Sequence, residues 1–146
     1  MDRIASKVGH DGAVLALAIL MTVPGMPSIY YGDEQGFTGE RTEGFEADDA
    51  VRPVLPSDPS ELSELGWWLY REHQALIGLR RRHPWLVHAD LEVLDKTNET
   101  ISCRVSSGDQ SLQVDLWLTP SRGVRIRTDE GETLSLIHIS EPTRPY

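Results

Sequence analysis

The sequence predicts an α/β segment followed by an all-β module, and three observations predict it. A long apolar run, Ala13 to Val23, breaks at Pro24-Gly25 and is followed by a short apolar stretch, Met26 to Tyr31. A second run with apolar residues at three- and four-residue spacing begins near Leu62. After Trp85 the period of the pattern changes from about 3.6 to about 2.

Asp11 is a plausible N-cap, and Ala13 to Val23 then reads as a buried helix that is apolar on almost every side. Pro24 and Gly25 stop it. Met26 to Tyr31, with Ile29, Tyr30 and Tyr31, has the composition of a strand buried on both faces. Helix, break and buried strand together predict part of a parallel α/β sheet. From Gly32 to about Pro59 the chain is rich in Gly, Pro and acids, a long loop of the kind that is functional or disordered. Ser57-Asp58-Pro59 is a good helix start. Leu62, Leu65, Leu69, His73, Leu76 and Arg80 share one face of the helix that follows. Arg80, Arg81 and Arg82 suit the negative end of its dipole as a solvated terminus, and Pro84 stops it.

Beyond it, Leu91–Leu94, Ile101–Val105, Leu112–Leu118 and Val124–Thr128 alternate between turn signals. Four short antiparallel strands are expected, forming part of a β-sandwich. Leu112, Val114, Leu116 and Leu118 face one side, and the module boundary falls near Leu86.

A chain of 146 residues holds one domain, or two small ones. With 14 basic against 23 acidic residues, the net charge of −9 argues against non-specific nucleic-acid binding, which needs a basic surface. Ten acids (Asp33, Glu34, Glu40, Glu43, Glu46, Asp48, Asp49, Asp58, Glu61, Glu64) against Arg41 and Arg52 put nearly all of that charge into one window. A solvated, flexible lid is expected there, since the acids lack the alternation of a calcium loop. An apolar content of 39% with four Trp argues against disorder of the whole chain. The lone Cys103 excludes an internal disulfide and a Cys-based zinc site, and its alternation with Ile101 and Val105 makes it a buried strand residue. Ala13 to Val23 falls short of the roughly 18 residues of a membrane span. It also starts too deep for a good signal peptide, so a soluble protein without a membrane partner is expected.

The stretch Gly25-Met26-Pro27-Ser28-Ile29-Tyr30-Tyr31-Gly32-Asp33-Glu34-Gln35-Gly36 resembles the end of the eighth strand of glycoside hydrolase family 13, the α-amylase family. The order of its neighbours is also similar: a helix before it, a substrate-side loop after it, a helix ending in Leu79-Arg80-Arg81-Arg82-His83-Pro84, then β-strands. The resemblance implies the last βα portion of a (β/α)8 barrel over residues 1–86 and a partial antiparallel β-sandwich, domain C, over 87–133. A complete barrel takes about 250 residues. The resemblance further implies that Met1-Asp2-Arg3 follows an Asn-His-Asp motif directly. Family chemistry uses two carboxylates roughly 5–5.5 Å apart, one as nucleophile and one as acid/base. By resemblance these, and a third Asp, lie upstream of Met1, so this chain is expected to hold no catalytic residue and to be inactive alone. The activity implied is that of a retaining α-glucosidase or α-amylase on α-glucosidic bonds of oligosaccharides, without cofactor or metal, in the bacterial cytoplasm. A secreted parent stays open. The rival reading is a small non-catalytic carbohydrate- or protein-binding module.

Leu134 to Pro145 resembles the translation of a sequencing adapter, so residues 134–146 are expected to be a non-native tail; the other reading is one more strand. Tyr31, Arg52 and Asp33 are the substrate-binding candidates. Tyr31 either stacks a sugar or bonds through its phenol at the strand end. Tyr30 has the same two readings, with the buried strand residue favoured over sugar stacking. Asp33 and Glu34 sit where barrel sites are built, with loop ordering the expected role of Glu34. Arg52 either binds sugar hydroxyls or pairs with Asp48 or Asp49 to pin the loop. Arg3, which by resemblance follows the Asn-His-Asp position, either braces the site missing upstream or is an exposed, frayed terminus, the reading favoured here. His10, His73, His83 and His88 show no metal-ligand spacing, and Asn98-Glu99-Thr100 is a weak glycosylation match.

Overall fold

The computed structural model describes residues 2–45 and 48–136. Helix α1 spans Ile4–Thr22 and helix α2 spans Glu64–Arg82. Five strands follow: β1 Asp90–Lys96, β2 Thr100–Ser107, β3 Gln110–Trp117, β4 Gly123–Thr128 and β5 Thr133–Leu136. They form one antiparallel sheet in sequence order. A helical segment followed by an antiparallel five-stranded sheet is consistent with the predicted barrel end and β-sandwich domain.

α1 is longer than the apolar run suggested, and by length and composition alone it is apolar enough to cross a membrane. Gly9 interrupts it with φ 77° and ψ 172°, a conformation that costs glycine little. The Asp11 carboxylate accepts from the amide of Gly12 just beyond the break. The uninterrupted helix is therefore His10–Thr22, short of the ~20 residues of a span.

The chain divides into two compact units. In the first, described over residues 2–14, 28–45 and 48–74, the core holds Ala5, Ala13, Val14, Val51 and Leu69. Buried polar side chains lie among them: Arg3, His10 and His73, whose Nδ1 lies 2.8 Å from the Leu69 carbonyl. Asp58 caps a single turn, Pro59–Glu61, rather than the helix itself. α2 begins at Glu64, where the Ser63 hydroxyl accepts from the Gly66 amide. The start signal read at Ser57-Asp58-Pro59 thus opens a separate short turn, and the helix itself starts at Glu64 after Ser63.

The stretch Met26 to Tyr31 is not a strand. Tyr30 is 44% exposed and Tyr31 36% exposed, where burial on both faces was expected. A parallel strand owes its burial and its ladder to neighbours, and no described segment of this chain pairs with it.

In the second unit, described over residues 15–27 and 75–136, the fully buried side chains include Leu76, Leu79, Leu86, Val105, Leu112, Val124 and Ile126. Each such aliphatic side chain contributes about 1.5–3 kcal/mol by leaving water. Register puts Val105 opposite Leu112, Cys103 opposite Val114 and Ile101 opposite Leu116, so one face is continuous. Cys103 is half-buried rather than buried, and burial pushes its thiol pKa up. Leu118 is exposed, not inward, because β3 ends at Trp117. A bulge between Val93 and Asp95 disrupts the alternation of β1, which is exposed along its whole length. β5 sets Leu134 opposite Ile126 and Leu136 opposite Val124. The remainder of the expected tail, 137–146, lies outside the described residues.

Arg80 is buried rather than solvated. Its Nη1 donates to the carbonyls of Val23 at 2.6 Å and Met21 at 3.3 Å, and its Nη2 donates to Gly25. A cation thus closes the C-terminal end of α1, where the helix leaves carbonyls unpaired. Arg82 pairs with Glu132, and only Arg81 and Arg82 are exposed in the arginine run.

Candidate functional site

The candidate site belongs to the first unit and is centred on Arg3. Its side chain is almost fully buried, where a frayed and exposed terminus was expected. Nε donates to the carbonyl of Val51 at 2.8 Å. Nη1 donates to the carbonyl of Tyr31 and pairs with Asp33 Oδ1 at 3.0 Å. The guanidinium lies 4.1 Å from the ring centroid of Tyr30, 5.0 Å from that of Tyr31 and 5.7 Å from that of Phe37. Nη2 is buried and has no hydrogen-bond partner. A buried charge of this kind is tolerated because a carboxylate, two carbonyls and aromatic faces surround it.

Asp33 opens a turn, Asp33–Gln35, flanked by glycines in the left-handed region: Gly32 at φ 91° and Gly36 at φ 76°. A Cβ on Gly32 would strike the Phe37 ring, and one on Gly36 would strike Leu69 and crowd His10. The Gly-Asp-Glu-Gln-Gly sequence is therefore set by close approach as well as by backbone conformation. Glu34 accepts from the Gly32 amide at 2.8 Å and from Gln35 Nε2 at 3.2 Å, folding back on its own turn. Its charge and that of Asp33 act on His73, whose pKa is nevertheless lowered, because desolvation outweighs them.

The acidic loop is tied down along its described length. Arg3 N donates to Gly39 O at 2.8 Å, Gly39 N to Ser6 Oγ at 2.7 Å, and Arg41 N to Asp2 Oδ1 at 2.7 Å. Farther along, Tyr31 Oη donates to Pro53 O at 3.1 Å. The flexible lid expected from composition is instead pinned to the start of the chain by backbone groups that charge counting does not register. The Lys7 ammonium and the Arg41 amide hold the Asp2 carboxyl below the usual carboxylate range, and Asp2 raises Lys7 in turn.

Arg52 pairs with Asp48 at 3.4 Å while Arg41 takes the other oxygen of Asp48 at 3.2 Å. The Arg52 side chain stays 63% exposed, and an exposed pair of this kind contributes at most about 1 kcal/mol. Asp49 is exposed and opens the turn Asp49–Val51, its carbonyl accepting from Arg52 N.

A cavity of about 540 Å³ brings these groups together. Arg3, Tyr30, Asp33, Asp48, Val51 and Arg52 line it, with Asp2, Ile4 and Lys7 at the start of the chain. Of the six residues singled out from sequence, Asp33, Asp48 and Arg52 line the cavity and Tyr31 borders it through Arg3. Glu34 and Asp49 are not among the lining residues. Arg3 was favoured as a frayed terminus over a brace of the site, because nothing local marks a third residue as buried. Among the described residues, no group of three or more His, Cys, Asp or Glu side chains is placed to hold a metal ion.

The chain is 45% identical over 60 residues to the alpha-amylase SusG of Bacteroides thetaiotaomicron, covering 39% of this chain and 8% of that protein. It is 36% identical over 93 residues to the cyclomaltodextrin glucanotransferase of Geobacillus stearothermophilus, covering 63% of this chain and 12% of that protein. The solved cyclic α-maltosyl-(1→6)-maltose hydrolase of Arthrobacter globiformis has a similar fold at 21% identity, over 92% of this chain. Its TM-score is 0.63 in the ligand-free form and 0.66 in complex with cyclic α-maltosyl-(1→6)-maltose, and the match takes in 31% and 32% of that chain. No family model matches. The chain thus spans a small part of the curated relatives it matches. Its sequence matches and its fold together are consistent with a fragment of an enzyme of glycoside hydrolase family 13, the α-amylase family.

Proposed function

We propose that this chain is the C-terminal part of a retaining α-glucosidase or α-amylase-type enzyme that acts on α-glucosidic bonds of oligosaccharides, and that it supplies part of the substrate rim. The observation that carries this reading is the cavity of Arg3, Tyr30, Asp33 and Arg52, built on the segment that resembles the end of the eighth barrel strand. Arg52 presents a guanidinium fork to the cavity, and such a fork suits paired hydroxyls. The catalytic carboxylates belong upstream of Met1, and this chain alone is inactive. The parent is a cytoplasmic bacterial enzyme. Residues 134–146 are an appended tail whose first residues pair with β4.

Two measurements test the reading. Incubation of the chain with maltopentaose is expected to release no glucose or shorter oligosaccharide; release would place catalytic carboxylates within this chain. Resequencing the locus is expected to find Asn-His-Asp codons in frame before Met1 and different sequence after Thr133. A stop codon upstream and the same tail downstream would overturn the fragment reading.

The alternative reading is a small non-catalytic carbohydrate- or protein-binding module. It requires a sharp thermal transition with low initial binding of a hydrophobic dye.

A further inference from the structure

We propose that Arg3 is a positioning residue that locks the Asp33 turn to the Asp49–Val51 turn and thereby sets where Arg52 stands. The inference rests on reading the cavity as part of an oligosaccharide site. Two donor nitrogens make three hydrogen bonds: Nε to Val51 O, and Nη1 to Tyr31 O and Asp33 Oδ1. The two turns are joined through one planar group, and the residue after Val51 is Arg52. Nη2 has no acceptor, but the guanidinium lies over Tyr30, which leaves an aromatic face as its neighbour. A lysine supplies the charge but neither the fork nor the plane, so it cannot reach both turns at once. Among the described residues, Arg52 itself has an exposed pair with Asp48, too weak to fix its position. The rigid element beneath it is the Val51 carbonyl on Arg3, with Val51 buried.

The test is a double-mutant cycle on maltotriose binding, read by amide shifts of the whole chain, with Arg3→Lys, Arg52→Ala and the double variant. Each single change is expected to weaken binding about tenfold, and the double variant to be no weaker than either single, because both remove the same contact. Losses that multiply, or unchanged binding in Arg3→Lys, would overturn the proposal. Hydrogen exchange on the same variants gives a readout independent of the sugar. Arg3→Lys is expected to lose protection at the Val51 and Asp33 amides while the β2–β3 ladder keeps its own. Retained protection at Val51 and Asp33 would overturn the proposal as well. If the wild-type chain fails to bind maltotriose, the oligosaccharide reading fails, and the exchange experiment still decides whether Arg3 couples the turns.

Discussion

The guanidinium of Arg80 binds the carbonyl of Gly25, 55 positions earlier, and the same group takes the carbonyls of Met21 and Val23. One side chain of α2 thus closes the end of α1 and fixes the turn from which the Met26–Tyr31 segment departs. Arg80→Met is expected to destabilise the chain by about 2–3 kcal/mol, because buried carbonyls lose their donor. Arg80→Lys should recover part of it. Urea unfolding measures both, and an unchanged midpoint in Arg80→Met would refute the closure.

Glu72 carries a buried carboxylate oxygen without a hydrogen-bond partner, and desolvation raises its pKa. A carboxyl whose folded pKa is raised favours the folded state most when protonated, and that contribution is lost as pH rises through the folded value. Glu72→Gln is therefore expected to raise the melting temperature at pH 7 by roughly 1–4 °C. The gain should shrink below the ordinary glutamate pKa of about 4.3, where the wild-type group is also neutral. Thermal melts of both chains across that range check the sign.

Asp2 titrates in the opposite sense. Its pKa is lowered, first by the Lys7 ammonium and then by the Arg41 amide. Its contribution is present above the ordinary aspartate value of about 3.9 and is lost as pH falls through the lower folded value. Protection of the Arg41 amide against exchange should fall over that acidic window, and Asp2→Asn should remove the upward shift of Lys7. A Lys7 titration unchanged by Asp2→Asn would sink this reading.

Gly36 and Gly108 both have positive φ, but only Gly36 faces a packed neighbour, the Leu69 side chain. Gly108→Ala is expected to cost about 1 kcal/mol of backbone strain. Gly36→Ala should cost about 1–3 kcal/mol more, because Leu69 must move. Equal losses in the two variants would show that strain alone governs the turn.

The β module was the most legible part of the sequence. Its signal is local: Leu112, Val114 and Leu116 alternate within one strand, and Pro120-Ser121-Arg122-Gly123 marks the next reversal. α2 was legible by its buried face, but its first turn was placed about five residues early because Ser57-Asp58-Pro59, the start signal read from sequence, caps only the short turn before it. Met26–Tyr31 misled because strand composition needs a neighbouring strand to become a strand. At the site, Asp33, Asp48 and Arg52 could be picked out by residue type and loop position. Arg3 was marked only by its place after the resembled motif, and its burial was not legible, since its partners lie 28 to 48 positions away and include two carbonyls. The pinning of the acidic loop was hidden for the same reason: Ser6 and Asp2 hold backbone amides, which leave no mark in a charge pattern.

The pairing of β5 with β4 also bears on the origin of the last residues. A ladder recognises the peptide backbone, and the inner face asks only for an aliphatic side chain at every second place, here Leu134 and Leu136 against Ile126 and Val124. Many unrelated peptides meet so loose a requirement. A foreign segment can therefore be grammatical at this edge without being inherited, and neat strand pairing says nothing of ancestry. Any tag fused after Glu132 with the same alternation should be adopted by the sheet in the same way.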